Sequence, residues 1–391
     1  MLWLACVPLI IWVYLGLFRG MFWRTGIRLP DSPDPYRWPS VAVVVPARNE
    51  ASLLGASLST LLAQDYPGPL QVVLVDDQST DGTAEVARRL WAGSGRHVIA
   101  RVVSGAPPPP GWSGKLWALA QGVEALSPTG RLAEASGALD APEFILFTDA
   151  DVAHPVCSVR KLVAWAEAAS LDQVSLMARL RVQTGWERLL IPAFVYFFAE
   201  LYPFAWVNRT DRKTAAAAGG CVLVRSQALQ DAGGILAIHG AVIDDVALAR
   251  ALKATGSAIW LGLANEVRSV RPYPRLADLW DMVARSAYTQ LRFSFTLLVG
   301  TLLGLTVTFL GPFACLGAGL SVGSLTLTVL GATSLLVMEL TYLPVIGYNR
   351  LGLWWAMGLP VAACLYAAMT VTSTWRHYRE GVAWKGRRYG A

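Results

Sequence analysis

VVVPARNEASLLGASLSTLL (Val43–Leu62) and VLVDDQSTDGTAEVARRL (Val73–Leu90) decide the fold, together with the shorter ILFTDADV (Ile145–Val152). Each begins as a short run of Val, Ile and Leu with no polar alternation, the pattern of a strand covered on both faces. The first two pass directly from strand to helix, so the expected unit is βαβ and the expected sheet is parallel. In open α/β sheets, ligands bind beyond the carboxyl ends of the strands. Those ends carry Asn49, Glu50, Asp76, Asp77, Asp149 and Asp151.

Working outward, LPDSPDPYRWP (Leu29–Pro39) is a Pro-rich connector into the first strand, and strands are expected at Val41–Val45, Gln71–Val75, His97–Val103, Phe144–Thr148 and Gln173–Gln183. Helices are expected at Ala51–Ala63, Thr83–Trp91, Lys115–Glu124 and Val156–Ala169. SPTGRLAEASGALDAP (Ser127–Pro142) is small and polar, and it is expected to be a surface loop. Asp149 and Asp151 form a D-x-D whose oxygens can converge on one hard cation, and Mg2+ or Mn2+ held by one or two carboxylates plus substrate phosphates is the usual arrangement. His154 is a further candidate ligand, against helix capping or solvent. Small residues at Ala215–Val224 (AAAAGGCVLV) either allow a ligand close to the backbone or simply pack tightly.

These motifs resemble the family-two inverting glycosyltransferases, whose nucleotide-sugar-binding domain has the GT-A fold. The family's P-x-x-N-E is matched by Pro46, Asn49 and Glu50, with Arg48 inside the same stretch. Its D-D-x-S-x-D-x-T is matched by Asp76, Asp77, Ser79, Asp81 and Thr83, and its D-x-D by Asp149 and Asp151. A later acidic pair is matched by Asp244 and Asp245, and the likeness covers about Pro39 to Ser294. GWSGK (Gly111–Lys115) and the motifs that follow it look most like the membrane branch that includes ceramide glucosyltransferase-like and hopene-associated enzymes.

The resemblance implies a role for each residue. Asp245 is the base that takes the acceptor proton, with Asp244 behind it; Asp149 and Asp151 hold Mg2+ or Mn2+. Pro46, Arg48, Asn49, Glu50, Asp76, Asp77, Lys115 and Asp149 belong to the donor site. Gln290 and Arg292 match the family's Q-x-x-R-W imperfectly, since Gln290 stands two residues before the arginine and Phe293 replaces Trp. Arg292 is then a bidentate diphosphate contact or, failing that, a juxtamembrane anchor. The donor expected from this likeness is a nucleotide diphosphate sugar, a UDP-sugar first, and the acceptor is a lipid or isoprenoid derivative such as a hopanoid. A processive polysaccharide synthase is the alternative enzyme, and a catalytically silent membrane scaffold the alternative from another class.

The chain has 391 residues, is 54% hydrophobic and has a mean hydropathy of +0.43, too apolar for a soluble enzyme. The excess sits at the ends. Met1–Phe18 is uncharged and followed by Arg19, Arg24 and Arg28, the reverse of a signal peptide, so residues 1–28 are expected to be an uncleaved anchor with its basic side cytoplasmic. Residues 39–294 are the expected GT-A domain, and residues 295–375 a multi-span region with room for roughly three crossings. Residues 376–391 are a basic cytoplasmic tail. Three crossings would put that tail on the wrong side, so either one segment is re-entrant or the block holds four short crossings. Aromatic-rich Trp186–Val207, broken by Pro192 and Pro203, is expected to be an interfacial helix pair, with a buried core helix as the other reading. The net charge of +6 is concentrated at the membrane junctions, which disfavours nucleic acid and favours an anionic lipid surface, in an inner-membrane, multi-pass protein. The five cysteines show no metal or disulfide spacing.

Overall fold

A computed structural model of the chain describes residues 2–93, 98–127, 141–380, 382–384 and 387–389. The loop expected at Ser127–Pro142 lies mostly outside these residues, as does His97. The chain opens with α1 (Leu2–Val13), extended by a π-helical turn at Tyr14–Phe18. An α/β stretch follows: β1 (Val41–Ala47), α2 (Ala51–Leu62), β2 (Leu70–Asp76), α3 (Thr83–Ala92), β3 (Ile99–Ser104), α4 (Gly114–Glu124) and β4 (Phe144–Phe147). Next come β5 (Val152–Ala153), α5 (Ser158–Ala168), β6 (Gln173–Arg179), α6 (Gly185–Leu201), α7 (Phe204–Val207), β7 (Val222–Arg225) and α8 (Ser226–Asp231). The domain closes with α9 (Asp244–Ala254), β8 (Ile259–Ser269), α10 (Leu276–Ala284) and α11 (Ala287–Gln290). The apolar helices are α12 (Phe295–Leu305), α13 (Gly311–Val322), α14 (Leu325–Tyr348) and α15 (Leu359–Glu380), and a short antiparallel pair, β9 (Val382–Trp384) and β10 (Arg387–Tyr389), ends the description.

The sheet has the order β3-β2-β1-β4-β7-β6-β8-β5. β3, β2, β1 and β4 are mutually parallel, as the βαβ pattern requires. Beyond β4 the sheet is mixed: β7 runs antiparallel to both β4 and β6, β6 runs parallel to β8, and β5 antiparallel to β8. β7 is reached from β6 through α6 and α7, a connection that brings the chain back to the end of the sheet where β6 finished, so β7 runs the opposite way.

β1 explains the missing alternation, because all seven of its residues are buried. Val41, Val43 and Val45 face the cluster under α2, α3 and α5, whereas Ala42 and Val44 face a second cluster. That second cluster runs without interruption from the sheet through Tyr196 of α6 to Phe309, Tyr342 and Met369 in the apolar helices. α6 therefore occupies the middle of the molecule. Within residues 186–207, Pro192 is accommodated inside α6, Pro203 stands at the start of the short α7, and eight of the 17 residues of α6 are buried.

α12 and α13 form one helix, Phe295–Val322, through a π-helical turn, and α14 folds back on it after Gly323 (φ +67°). The two backbones touch closely, since a Cβ on Gly319 would lie 2.4 Å from the Thr328 nitrogen and one on Gly331 2.4 Å from that of Leu316. Among the described residues, four stretches are long and apolar enough to cross a membrane: Gly185–Val207, Phe295–Val322, Leu325–Tyr348 and Leu353–Arg379. The N-terminal helix, Trp3–Phe18, is shorter, about 24 Å at 1.5 Å per residue. Its buried Trp12 donates to the Thr308 carbonyl (2.8 Å), which lies in the π-helical turn. The basic tail expected to begin at residue 376 instead continues α15 to Glu380.

Candidate active site

The carboxyl ends of β1 and β4 and the start of α9 converge on a cavity of about 540 Å³, whose lining includes Pro46, Arg48, Glu50, Lys115, Asp149, Asp151 and Asp244. Lys115 is brought there by the first turn of α4, where the Ser113 hydroxyl accepts from the Leu116 N–H. Its ammonium sits between two carboxylates, 2.8 Å from Asp149 and 3.0 Å from Asp244. Burial opposes that charge, but Asp149 and Asp244 outweigh it and hold the Lys115 pKa above its ordinary value. Asp149 is raised, first by burial and then by Asp151, with Lys115 opposing.

Asp244 and Asp245 occupy the first turn of α9, where the helix dipole favours negative charge. Asp244 faces the large cavity, and Asp245 faces a side chamber of about 20 Å³, room for about one water. Pro46, Lys115, Asp149 and Asp244 line both spaces. The Asp245 carboxylate accepts from the Gly219 and Val246 N–H groups, each at 2.8 Å. Burial, and then repulsion from Asp244, push its pKa up to about 7. Gly219 has to be small: a Cβ would lie 3.3 Å from the Lys115 ammonium and 3.4 Å from Asp245. The small-residue stretch thus allows the backbone close to an acidic side chain.

Sequence reading missed Arg271. It follows β8 in SVRPYP, a stretch without a recognisable motif, yet its guanidinium joins two predicted site residues, donating to Glu50 (2.6 Å) and Asp151 (2.8 Å). Ser269 adds a third donor to this arrangement, 3.1 Å from Asp151. Burial opposes the Arg271 charge, but Asp151 and Glu50 keep its pKa above the ordinary value. Tyr273, Asp281, Arg285 and Tyr288 extend the cavity toward the apolar helices, and Ser373, Arg376 and His377 of α15 close it.

Residues 39–289 match the family described as "Glycosyltransferase like family 2". The chain belongs to that glycosyltransferase family. Curated relatives of the glycosyltransferase include an N-acetylglucosaminyltransferase of Mesorhizobium japonicum, 46% identical over 57 residues, 14% of this chain and 13% of the relative. A second, from Rhizobium sp., is 36% identical over 86 residues, 21% and 19% of the two chains. The chain thus spans less than a fifth of the length of these relatives. Among solved structures, a mannosyltransferase from Pyrobaculum calidifontis in complex with GDP-Man and Mn2+ superposes with a TM-score of 0.57 at 20% identity. That match covers 97% of this chain and 99% of the other, so the α/β domain and the apolar helices share one overall fold with it.

The glycosyltransferase does not bring every expected residue to the cavity. Asn49 (φ +52°) ties two loops together, donating its N–H to Ser79 (2.9 Å) and accepting from the Thr80 N–H (2.9 Å). Asp76 accepts from the Ser79 N–H at 3.2 Å. Asp77 is buried beneath Arg48, which donates to its carbonyl (2.6 Å). Asp81 accepts from Thr83 and from the Ala51 N–H, which makes it a loop tie. Gln290 is paired with the Tyr202 hydroxyl at 2.6 Å. Arg292 and Phe293 take a left-handed turn (φ +52° and +56°) that delivers Phe293 to the cavity, stacked on His377 with ring centroids 4.5 Å apart. Gln290 and Arg292 are not among the lining residues. His154 is buried, bonded to Thr148 (2.8 Å) and Ser158 (3.2 Å), and burial pushes its pKa down to about 4. It is a satisfied core histidine.

Asp149 and Asp151 are hard oxygen donors on one wall, and among the described residues no group of three or more His, Cys, Asp or Glu forms a complete metal cage. This donor set fits Mg2+ or Mn2+ that takes its remaining ligands from a diphosphate.

Proposed function

We propose that this chain is a membrane-bound inverting glycosyltransferase that moves a sugar from a nucleotide diphosphate sugar, a UDP-sugar first, to a lipid acceptor. The isoprenoid and hopanoid class is favoured by the GWSGK branch pattern. What supports the reading is the group Asp149, Lys115, Asp244 and Asp245: the first three line both the large cavity, which α15 closes, and the side chamber where Asp245 stands with its pKa raised to about 7. A general base works best with a pKa near the operating pH. Asp245 takes the acceptor O–H proton as the acceptor oxygen attacks the anomeric carbon on the face opposite the leaving diphosphate. Lys115 holds Asp149 and Asp244 in place, and Arg271 does the same for Glu50 and Asp151. Asp149 and Asp151 would hold Mg2+ or Mn2+, which when bound supplies positive charge for the leaving diphosphate. Arg48, Pro46 and Glu50 border the donor side; Asn49, Asp76 and Asp77 act on it through the loops they fasten. A membrane location is supported by helices long and apolar enough to cross one, and a cytoplasmic domain by Arg19, Arg24 and Arg28 after the first apolar run.

Membranes containing the protein, incubated with a panel of labelled nucleotide sugars and then extracted for lipid, test the proposal. One donor is expected to label a lipid product, and Asp245→Asn to abolish that label while donor binding stays within a fewfold. No label from any donor, or an undiminished label with Asp245→Asn, would overturn it.

A further inference from the structure

By length and composition Leu353–Arg379 qualifies as a third crossing after the α/β domain. Its tertiary contacts give a different geometry. At 22 residues and 1.5 Å each, α15 is about 33 Å long, close to the thickness of the bilayer's hydrocarbon core, so a crossing α15 would carry its two ends to opposite sides. The chain is instead fastened at the α/β domain where α14 ends and again at the far end of α15. At the end of α14, the Tyr348 hydroxyl donates to the Ala264 carbonyl of β8 (2.7 Å) and Arg179 of β6 donates to the Tyr348 carbonyl (3.0 Å), and residues 349–358 lead from there into α15. In its first half, Tyr366 donates to the Leu190 carbonyl of α6 (2.9 Å). At its far end, Ser373 accepts from the Tyr288 N–H (3.0 Å), Arg376 pairs with Asp281 of α10 (2.8 Å), and His377 stacks on Phe293.

The face turned away from these contacts is apolar. In α15, Val361, Cys364, Val371, Trp375 and Tyr378 are exposed at spacings of three, four and seven that return to one side, and Trp354 and Met357 are exposed in the 3-10 turn that precedes it. Trp and Tyr at the ends of the stripe, and Arg379 stacked on Trp375, suit the boundary between lipid and water.

We propose that α15 lies along the membrane, in the leaflet that faces the α/β domain, with this stripe in lipid and with Ser373, Arg376 and His377 forming the lipid-side wall of the cavity. This rests on the membrane reading above. It removes the parity conflict in the sequence: α12–α13 leaves, α14 returns, α15 stays, and the chain ends on the side of the α/β domain. The acceptor headgroup then enters the cavity from that same leaflet.

The experiment uses full-length chains with Cys6, Cys157, Cys221 and Cys315 replaced by Ala. Each carries one bimane label, at native Cys364 or, with Cys364 also replaced, at Trp354→Cys, Trp375→Cys or Leu336→Cys, the last on an exposed site midway along α14. The chains are reconstituted in phosphatidylcholine–phosphatidylglycerol vesicles holding nitroxide lipids labelled near the headgroup or near the chain end. The expected result is that positions 354, 364 and 375 are quenched alike and best by the shallow nitroxide, and position 336 best by the deep one. Deep quenching at 364, with 354 and 375 open to impermeant thiol reagents from opposite sides, would overturn the proposal and leave the membrane reading standing. No quenching at 336 or 364 would overturn both. A second measurement needs no cysteine replacement: Cys364→Lys in the natural chain is expected to enter vesicles normally because its ammonium can reach the headgroups, whereas Leu336→Lys is expected to fail. Failure of Cys364→Lys with success of Leu336→Lys would overturn the proposal.

Discussion

Asp245→Asn should make the protein more stable and less active at once, with the stability gain confined to one pH range. Burial and Asp244 raise this carboxyl from its ordinary 3.8 to about 7 in the folded chain. A shift of roughly three units at 1.36 kcal/mol each corresponds to about 4 kcal/mol as an upper bound. Below pH 3.8 the group is protonated in both folded and unfolded chains, and it contributes its full share to stability. Between 3.8 and about 7 the unfolded chain releases the proton and the folded chain keeps it, so stability falls as pH rises. Above about 7 the folded group ionises too, and the loss is complete. Asn has no such transition and can still accept from the Gly219 or Val246 N–H. In detergent, the apparent melting temperature of Asp245→Asn should therefore match the wild type near pH 4, rise above it through pH 7 and stay several degrees higher at pH 8. Turnover should drop by about 10² or more above pH 7, where the wild-type base is ionised, and the difference should narrow as pH falls below it. A melting difference that does not change between pH 4 and 8 would refute the assigned environment. Near-normal turnover would transfer the base role to Asp244.

Other consequences follow from the same cavity. In the wild type, the acid limb of kcat/KM should have its midpoint near pH 7, and Asp244→Asn should move it to lower pH by removing the neighbouring charge, as read from pH profiles. Arg271→Ala leaves Glu50 and Asp151 without their shared cation and should cost about 3 kcal/mol of stability in denaturant titrations, with Arg271→Lys recovering part. EDTA should abolish turnover, Mn2+ or Mg2+ should restore it, and Asp151→Asn should weaken the restoring effect; full activity in EDTA would contradict the metal assignment. Gly219→Ala should lower turnover about tenfold while shifting the melting temperature little, because its methyl group meets Lys115 and Asp245 and leaves the core untouched.

The parallel half of the sheet was legible because β1, β2 and β4 are buried on both faces, and a strand in that position can carry little but Val, Ile, Leu and Phe. β5 and β7 were not legible: their short apolar runs give no direction, and direction depends on the connection that leads into them. The acids of the site were readable because two carboxylates at a strand end have few structural uses. Arg271 was not, since a single arginine in a loop looks the same whether it meets water or two buried acids. Gln290 and Arg292 stood out by motif, but the left-handed turn at Arg292 and Phe293 delivers a different side chain to the cavity than the spacing suggested. The long apolar helices were visible by length; their placement was not, because burial against protein and exposure to lipid select the same residues. α6 and α15 illustrate this.

The apolar cluster that passes from Val44 through Tyr196 to Tyr342 and Met369 bears on how this protein can be cut, fused or rebuilt. A chain ended at residue 294 would leave α6 with one flank bare, so the soluble catalytic fragment that works for many anchored enzymes should aggregate here. Replacing the apolar helices with a foreign membrane anchor meets the same obstacle, since the replacement would have to fit α6 side chain by side chain. The apolar helices and the α/β domain share one core, so substitutions on one should be constrained by the other.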